Sequence, residues 1–213
     1  MKLTLTFSPM ACSIVPYVAL TEAGATFDTL PVNLSKHQHH EPSYLKINPK
    51  GKVPALIIDG YPLTENTAIQ IWIANQFPQA NLLPKDPLEF VKAVSIMSWC
   101  AAGIHPKLTQ QARPERYCDL PESAASVQAL GSHSLFEMLE IADSMLVNRE
   151  WFFDHFTSAD TYFYWCFRRG TQFKPDLSHF TNCMAHMQRI EQRPSVQKLL
   201  AYEKSVIAQF NKT

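Results

Sequence analysis

Apolar and polar residues alternate at the start of the chain. Leu3, Leu5 and Phe7 are separated by Thr4 and Thr6, the two-residue period of a strand. Ser8-Pro9-Met10-Ala11 reads as a turn, and Cys12-Ser13 opens a helix running to about Gly24, a residue suited to a helix stop. Residues 27–34 predict a second strand, and residues 35–49 are polar and irregular, with one helical turn near 43–47. Strands at 54–58 and 61–63 joined through Asp59-Gly60 predict a hairpin. A helix from Asn66 to about Phe77 then places Ile69, Trp72 and Ile73 on one face. The order is βαβ followed by ββα, an α/β domain over residues 1–80.

The pattern then changes. Pro78, Pro84 and Pro87 punctuate a stretch whose residues 81–87 read as a linker, and residues 88–213 carry no convincing strand. Helical periodicity predicts helices at about 88–112, 122–147, 158–170, 177–192 and 195–209, several bounded by Pro114, Pro121, Pro175 or Pro194. Thr157-Ser158-Ala159-Asp160 is a capping box in its aspartate form. Nine aromatic residues crowd positions 151–167, more than a substrate pocket needs, and read mainly as helical core. Cys100, Cys118, Cys166 and Cys183 read as packing residues.

Composition narrows the classes. Lys plus Arg equals Asp plus Glu, 19 against 19, so no basic excess points to nucleic acid. No unbroken apolar run approaches the roughly 18 residues of a bilayer span, so no membrane partner is expected. The opening, with one lysine, a strand pattern and Pro9, does not resemble a signal peptide. Five widely spaced cysteines without a CxxC pair fit reduced thiols in the cytoplasm. Neither a Walker loop, GxGxxG, HExxH nor GxSxG is present, which removes several common enzyme classes.

The residues able to carry chemistry lie mostly in the first domain. Pro54 cannot donate to a sheet ladder, so Val53-Pro54 is expected to turn into the strand, through a cis bond. That leaves the Val53 backbone extended and available to pair with a peptide. Thr64-Glu65-Asn66 opens a helix, where free N–H groups favour a carboxylate, Glu65 suits an ammonium, and the Asn66 amide suits the carboxylate again. Together they suit an α-amino acid head group, although Glu65 also simply complements the helix dipole. Cys12, at the first turn of its helix, reads either as a thiol whose pKa the helix lowers or as a small buried turn residue. Ser13 reads as a donor to a bound anion or thiolate, or as a plain N-cap. Lys36 suits a terminal carboxylate, and His105 reads as a cleft residue, a cap or a core histidine. His37, His39 and His40 lack a cysteine or carboxylate to complete a metal site and read as a solvated loop, so no metal is expected.

Taken together these positions resemble a glutathione S-transferase along essentially the whole chain. Ile47-Asn48-Pro49-Lys50-Gly51-Lys52-Val53-Pro54-Ala55-Leu56 is similar to the family's Asn-Pro-x-Gly-x-Val-Pro-x-Leu stretch. Leu63-Thr64-Glu65-Asn66 resembles its γ-glutamyl site, Phe156-Thr157-Ser158-Ala159-Asp160 its helical capping signature, and Arg193-Pro194-Ser195-Val196 the start of its final helix. Ser8-Pro9-Met10-Ala11-Cys12-Ser13 is similar to the bacterial beta class, which places a cysteine at the first helix. Asn66 stands where many relatives carry serine or threonine, and Ala101-Ala102-Gly103 precedes His105 where many carry an acidic residue.

The resemblance implies a thioredoxin-like N-terminal domain plus an all-α C-terminal domain contributing the electrophile site. It implies glutathione as co-substrate, a small hydrophobic electrophile and a homodimer. Val53, beside a cis Pro54, would pair with the cysteinyl unit, and Glu65 and Asn66 would bind the γ-glutamyl group. Lys36 and His105 would lie near the glycyl end or the cleft. Cys12 would contact the glutathione sulfur by a hydrogen bond or a mixed disulfide, with Ser13 beside it. The activity implied is glutathione transfer. The alternatives are a non-catalytic binding or regulatory protein of the same fold, or a glutathione-dependent reductase, isomerase or dehalogenase.

Overall fold

Strand β1 (Leu3–Phe7) is buried on both faces, Thr6 as completely as Leu5 and Phe7, because it is an inner strand of a four-stranded sheet. The sequence alternation therefore describes its chemistry better than its exposure. In this computed structural model, which describes residues 1–173 and 176–212, the sheet order is β2-β1-β3-β4. Helix α1 (Ile14–Glu22) connects β1 to the parallel β2 (Asp28–Pro31), with Thr4 opposite Asp28. The short α2 (Pro42–Leu45) follows. β3 (Ala55–Ile58) runs antiparallel to β1, and β4 (Tyr61–Thr64) antiparallel to β3, joined where Asp59 and Gly60 both take positive φ. Helix α3 (Asn66–Gln76) buries Asn66, Ile69, Gln70 and Ile73. These elements fall within three residues of their expected bounds, the second strand ending three residues earlier than residue 34.

The chain divides into two compact units, Met1–Leu83 with the segment from Glu191 onward, and Pro84–Ile190. The second unit is helical: α4 (Pro87–Trp99), a π turn at Cys100–Ile104, α5 (His105–Ala112), α6 (Ala124–Met145), α7 (Ser158–Thr171) and α8 (Thr181–Glu191). Pro175, expected to bound a helix, lies outside the described residues. Pro87–Ala112 forms one helical run of 26 residues, long and apolar enough (mean hydropathy 1.2) to cross a bilayer by length and composition. The expectation of no such stretch is corrected, because it counted unbroken apolar residues rather than a helix-long window. The buried positions Ala93, Met97, Cys100, Ile104 and Leu108 recur every three or four residues, the one-sided stripe of a helix packed in a protein core.

The capping box of α7 does more than cap. Asp160 is fully buried, and its Oδ2 accepts from both the Thr157 N–H and the Thr157 hydroxyl, each at 2.8 Å. Its Oδ1 accepts the Phe152 N–H at 2.9 Å and pairs with His186 Nε2 at 2.9 Å. One carboxylate thus joins the chain before α7, the helix start and α8. Around it Phe152, Phe156, Tyr162, Phe163, Tyr164, Trp165 and Phe167 are buried, as the core reading of the aromatic run expects.

The last helix, α9 (Pro194–Phe210), groups with the first unit, whereas the sequence reading places residues 88–213 in one domain. It packs on α1, and Arg193 grips Glu22 with two hydrogen bonds of 2.8 Å while Ser195 donates to the same carboxylate. Burial raises the Glu22 carboxyl, but these hydrogen bonds prevail and hold it below its ordinary value.

Replacing Asp160 with Ala is expected to lower the unfolding free energy by about 3–5 kcal/mol, because His186 and two N–H groups lose their buried acceptor. Chemical denaturation of the variant and the parent measures this. A loss within about 0.5 kcal/mol, the range of ordinary surface substitutions, would remove Asp160 as the centre of this unit.

Candidate active site

The site in the first unit begins with the loop between β1 and α1. Ser13 closes it: the Ser8 N–H donates to Ser13 Oγ at 2.9 Å, and Ser13 Oγ donates to the Ser8 carbonyl at 3.1 Å. Ser13 is fully buried and makes no capping bond, so the plain N-cap reading of its hydroxyl does not hold. It is committed to the loop. Met10 takes a positive φ of 62° and donates its N–H at 2.7 Å to Oε1 of Glu203, a buried acid on α9.

Cys12 is buried at 8% exposure, and its thiol donates to the Val53 carbonyl at 3.5 Å. Burial pushes the thiol up to about 12, outweighing the hydrogen bond from the backbone. Of the two sequence readings, the helix-lowered pKa is corrected and the small buried turn residue agrees with the structure. α1 starts only at Ile14, and desolvation exceeds any dipole contribution. At neutral pH Cys12 is therefore a thiol and a hydrogen-bond donor, not a thiolate.

The Val53 side of the site is built by a relay. The Ala55 N–H donates to Thr6 Oγ1 at 2.7 Å, Thr6 meets Tyr44 Oη at 3.2 Å, and Tyr44 Oη donates to the Lys52 carbonyl at 2.7 Å. Since the single phenolic proton goes to Lys52, Thr6 is the donor to Tyr44. Asn48 Nδ2 also donates to the Lys52 carbonyl, at 2.6 Å, and Asn48 Oδ1 accepts the Lys50 N–H at 3.1 Å. The Val53–Pro54 bond is cis, as the sequence suggests. The Val53 side chain packs with Val32 and Tyr44, and its N–H has no backbone partner among the described residues.

At the start of α3, Glu65 takes a φ of 71°, which non-glycine residues rarely adopt and which costs on the order of 1–3 kcal/mol. Its side chain is 68% exposed and paired with Lys50, whose ammonium also donates to Thr64 Oγ1 at 2.8 Å. Asn66 is buried, and its Nδ2 donates to the Cys12 carbonyl at 2.8 Å. The amide N–H that the sequence reading offers to a head group holds the Cys12 loop instead, while its buried Oδ1 has no hydrogen-bond partner among the described residues. Gln70, one turn on, is fully buried with neither amide atom bonded.

The structure thus joins Cys12, Val53 and Asn66 directly, with Glu65 adjoining. Lys36 is exposed on the loop after β2, where its N–H donates to Asn33 Oδ1 at 3.1 Å. His105 belongs to the second unit, as the first residue of α5, edge-on to Trp165 at 4.5 Å. The π turn before it needs Gly103, where a Cβ would come within 2.7 Å of the Trp99 ring. Cys118 is half-exposed rather than packed, and the Ser123 hydrogen bond lowers its pKa. Two site residues escaped the sequence reading. Lys50 lay unremarked inside the motif. Glu203 carried a visible signal, a lone acid on the buried stripe Val196, Leu199 and Val206.

Residues 2–75 match the family "Glutathione S-transferase, N-terminal domain". The chain is 32% identical over 204 residues to glutathione S-transferase GstA of Escherichia coli O157:H7, covering 93% of this chain and 98% of that one. The chain belongs to the glutathione S-transferase family. Among solved structures, a bacterial beta class glutathione S-transferase of Sphingomonas chungbukensis is 34% identical, with a TM-score of 0.83 over 94% of this chain and 98% of that one. A glutathione transferase homolog from Sulfitobacter with bound glutathione gives a TM-score of 0.89 at 26% identity, over 94% and 98%. The thioredoxin-like sheet unit and the helical unit are thus the two parts of a glutathione S-transferase fold.

In this transferase, an uncharged alkylating reagent is expected to modify Cys118 first. Cys12 should react roughly a hundredfold more slowly than an ordinary thiol at pH 8, its rate still rising at pH 10. Peptide-level mass spectrometry across pH follows both sites. A Cys12 rate that plateaus below pH 8 would contradict the buried, protonated thiol.

Proposed function

We propose that the protein is a cytoplasmic, homodimeric glutathione transferase that ionises the glutathione thiol and directs it at small hydrophobic electrophiles. The observation that carries this reading is a protonated Cys12 thiol on the Val53 carbonyl, beside a Val53 N–H without a partner among the described residues. A bound glutathione places its cysteinyl backbone against Val53, next to Pro54, and its sulfur near Cys12. The Cys12 proton then turns from the Val53 carbonyl to the glutathione sulfur. A hydrogen bond donated to the ionised form favours it, so the glutathione pKa falls below the usual value of about 8.5 and its thiol proton leaves to solvent. The thiolate attacks the electrophilic carbon, and the leaving group departs with the bonding pair.

Glu65 receives the γ-glutamyl ammonium in place of the Lys50 ammonium it now holds. Lys50, released, is placed to meet the neighbouring carboxylate, together with the free N–H groups at the start of α3. Lys36 is assigned the glycyl carboxylate. Asn66 and Glu203 act through the loop they hold. A protonated Cys12 favours hydrogen bonding over a resting mixed disulfide, because disulfide exchange needs the thiolate. None of the five cysteines forms a disulfide among the described residues, which supports a reducing compartment. Leu88 and Val91 stand exposed on α4 at 63% and 59%, which supports the proposed pairing of two chains.

Conjugation of glutathione to an activated aryl halide, with glutathione binding followed by calorimetry, tests this assignment. Cys12→Ala is expected to lower kcat by about tenfold or more while leaving the glutathione Kd within about threefold. Glu65→Ala should weaken glutathione binding by about tenfold or more, the cost of a charge-assisted hydrogen bond. Unchanged kcat in the first variant, or unchanged affinity in the second, would remove the corresponding role.

A further inference from the structure

We propose that His37, His39 and His40 form a binding site for one divalent late first-row transition-metal ion. The sequence offers three imidazoles without a cysteine or carboxylate beside them. The fold supplies what spacing alone did not show: a ligand nitrogen from each ring lies within 4.8 Å of the other two. Bonds of about 2.0–2.1 Å to a tetrahedral ion require nitrogens roughly 3.3 Å apart. The remaining approach is within reach of side-chain rotation, because His37 and His40 are exposed while His39 is buried and fixed. Imidazole suits zinc, copper and nickel, and three such ligands leave one position for water.

The backbone that presents the rings is well determined. His37 has a left-handed φ of 57°, and a 3-10 turn over Gln38–His40 follows, closed by the His40 N–H on the His37 carbonyl at 2.8 Å. Asn33 anchors the loop from below. Its N–H donates to Gln38 Oε1 at 2.8 Å, its carbonyl accepts the Gln38 N–H at 3.2 Å, and its Oδ1 accepts the Lys36 N–H at 3.1 Å. The His39 and His40 ring centroids are 4.0 Å apart, and His37 lies 6.0 Å and 6.3 Å from them. The far wall is Gly51, where a Cβ would come within 2.9 Å of His40 Nδ1 and 3.2 Å of the His39 carbonyl. The Gly51 loop therefore packs directly against the His39–His40 turn. The ion is held independently of glutathione, since none of the three rings belongs to the peptide site proposed above.

Chelator-stripped, reduced protein titrated with cobalt(II), followed by visible spectroscopy and competition with zinc(II), tests the site. One ion per chain is expected, with d–d bands of nitrogen and oxygen ligation and no thiolate charge-transfer band. His37→Ala and His40→Ala, at exposed positions, should each weaken binding tenfold or more, and the double variant should abolish it with the fold intact by circular dichroism. Equal binding by the double variant, a thiolate band from an ion at a cysteine, or no saturable binding by the parent protein would each overturn the proposal.

Discussion

The site depends on what happens where a sheet ladder meets a residue that cannot donate to it. The last recorded pair between β1 and β3 is Leu5 with Leu56, and Pro54 has no N–H with which to extend the ladder. Thr6 takes over with its side chain, accepting the Ala55 N–H and passing a proton toward Tyr44, which holds the Lys52 carbonyl. Both residues flanking Val53-Pro54 are pinned, by backbone amide on one side and carbonyl on the other. Val53 itself stays unpartnered at its N–H and touches Cys12 through its carbonyl. A sheet that ended in full pairing would have no backbone to offer a peptide.

The Cys12 loop is held with the same economy by buried polar groups. Ser13, Asn66 and Glu203 come from three different helices or helix starts, and each spends its side chain on loop backbone. Such groups are costly to leave unpaired in a desolvated setting, so their removal penalises any loop conformation that abandons them. Burial that raises the Cys12 pKa also defines its chemistry. A thiolate in this position would repel the thiolate of a bound peptide, whereas a protonated thiol donates to it. The helix start that suggests a lowered pKa in the sequence instead holds a buried, protonated thiol.

Much of this was legible in the residues. Strand alternation, the Asp59-Gly60 hairpin, the proline-marked change to helices and the Thr157–Asp160 box all have local causes, and each element stands close to its expected place. The motif around Val53-Pro54 also gave the cis bond. What escaped depends on burial or on long-range partners. The helix start and the tight turn left two readings of Cys12 open, and burial decides between them by raising its pKa. Asn66 was read from its helix start as a group for a carboxylate, but its amide partner lies 54 positions earlier in the chain. Glu203 serves a loop 193 positions away, which no local pattern encodes. The grouping of α9 with the first unit has the same origin, since the Arg193–Glu22 pair spans 171 positions.

The central claim is that the Val53 backbone is the peptide clamp and Cys12 the proton donor beside it. Amide-resolved NMR of the reduced protein during glutathione titration addresses it most directly. The account predicts that the Val53 N–H shifts downfield and gains exchange protection as glutathione saturates, together with the neighbouring Cys12 amide. Saturating glutathione that leaves the Val53 amide unmoved while other regions respond would contradict the account and place the peptide elsewhere.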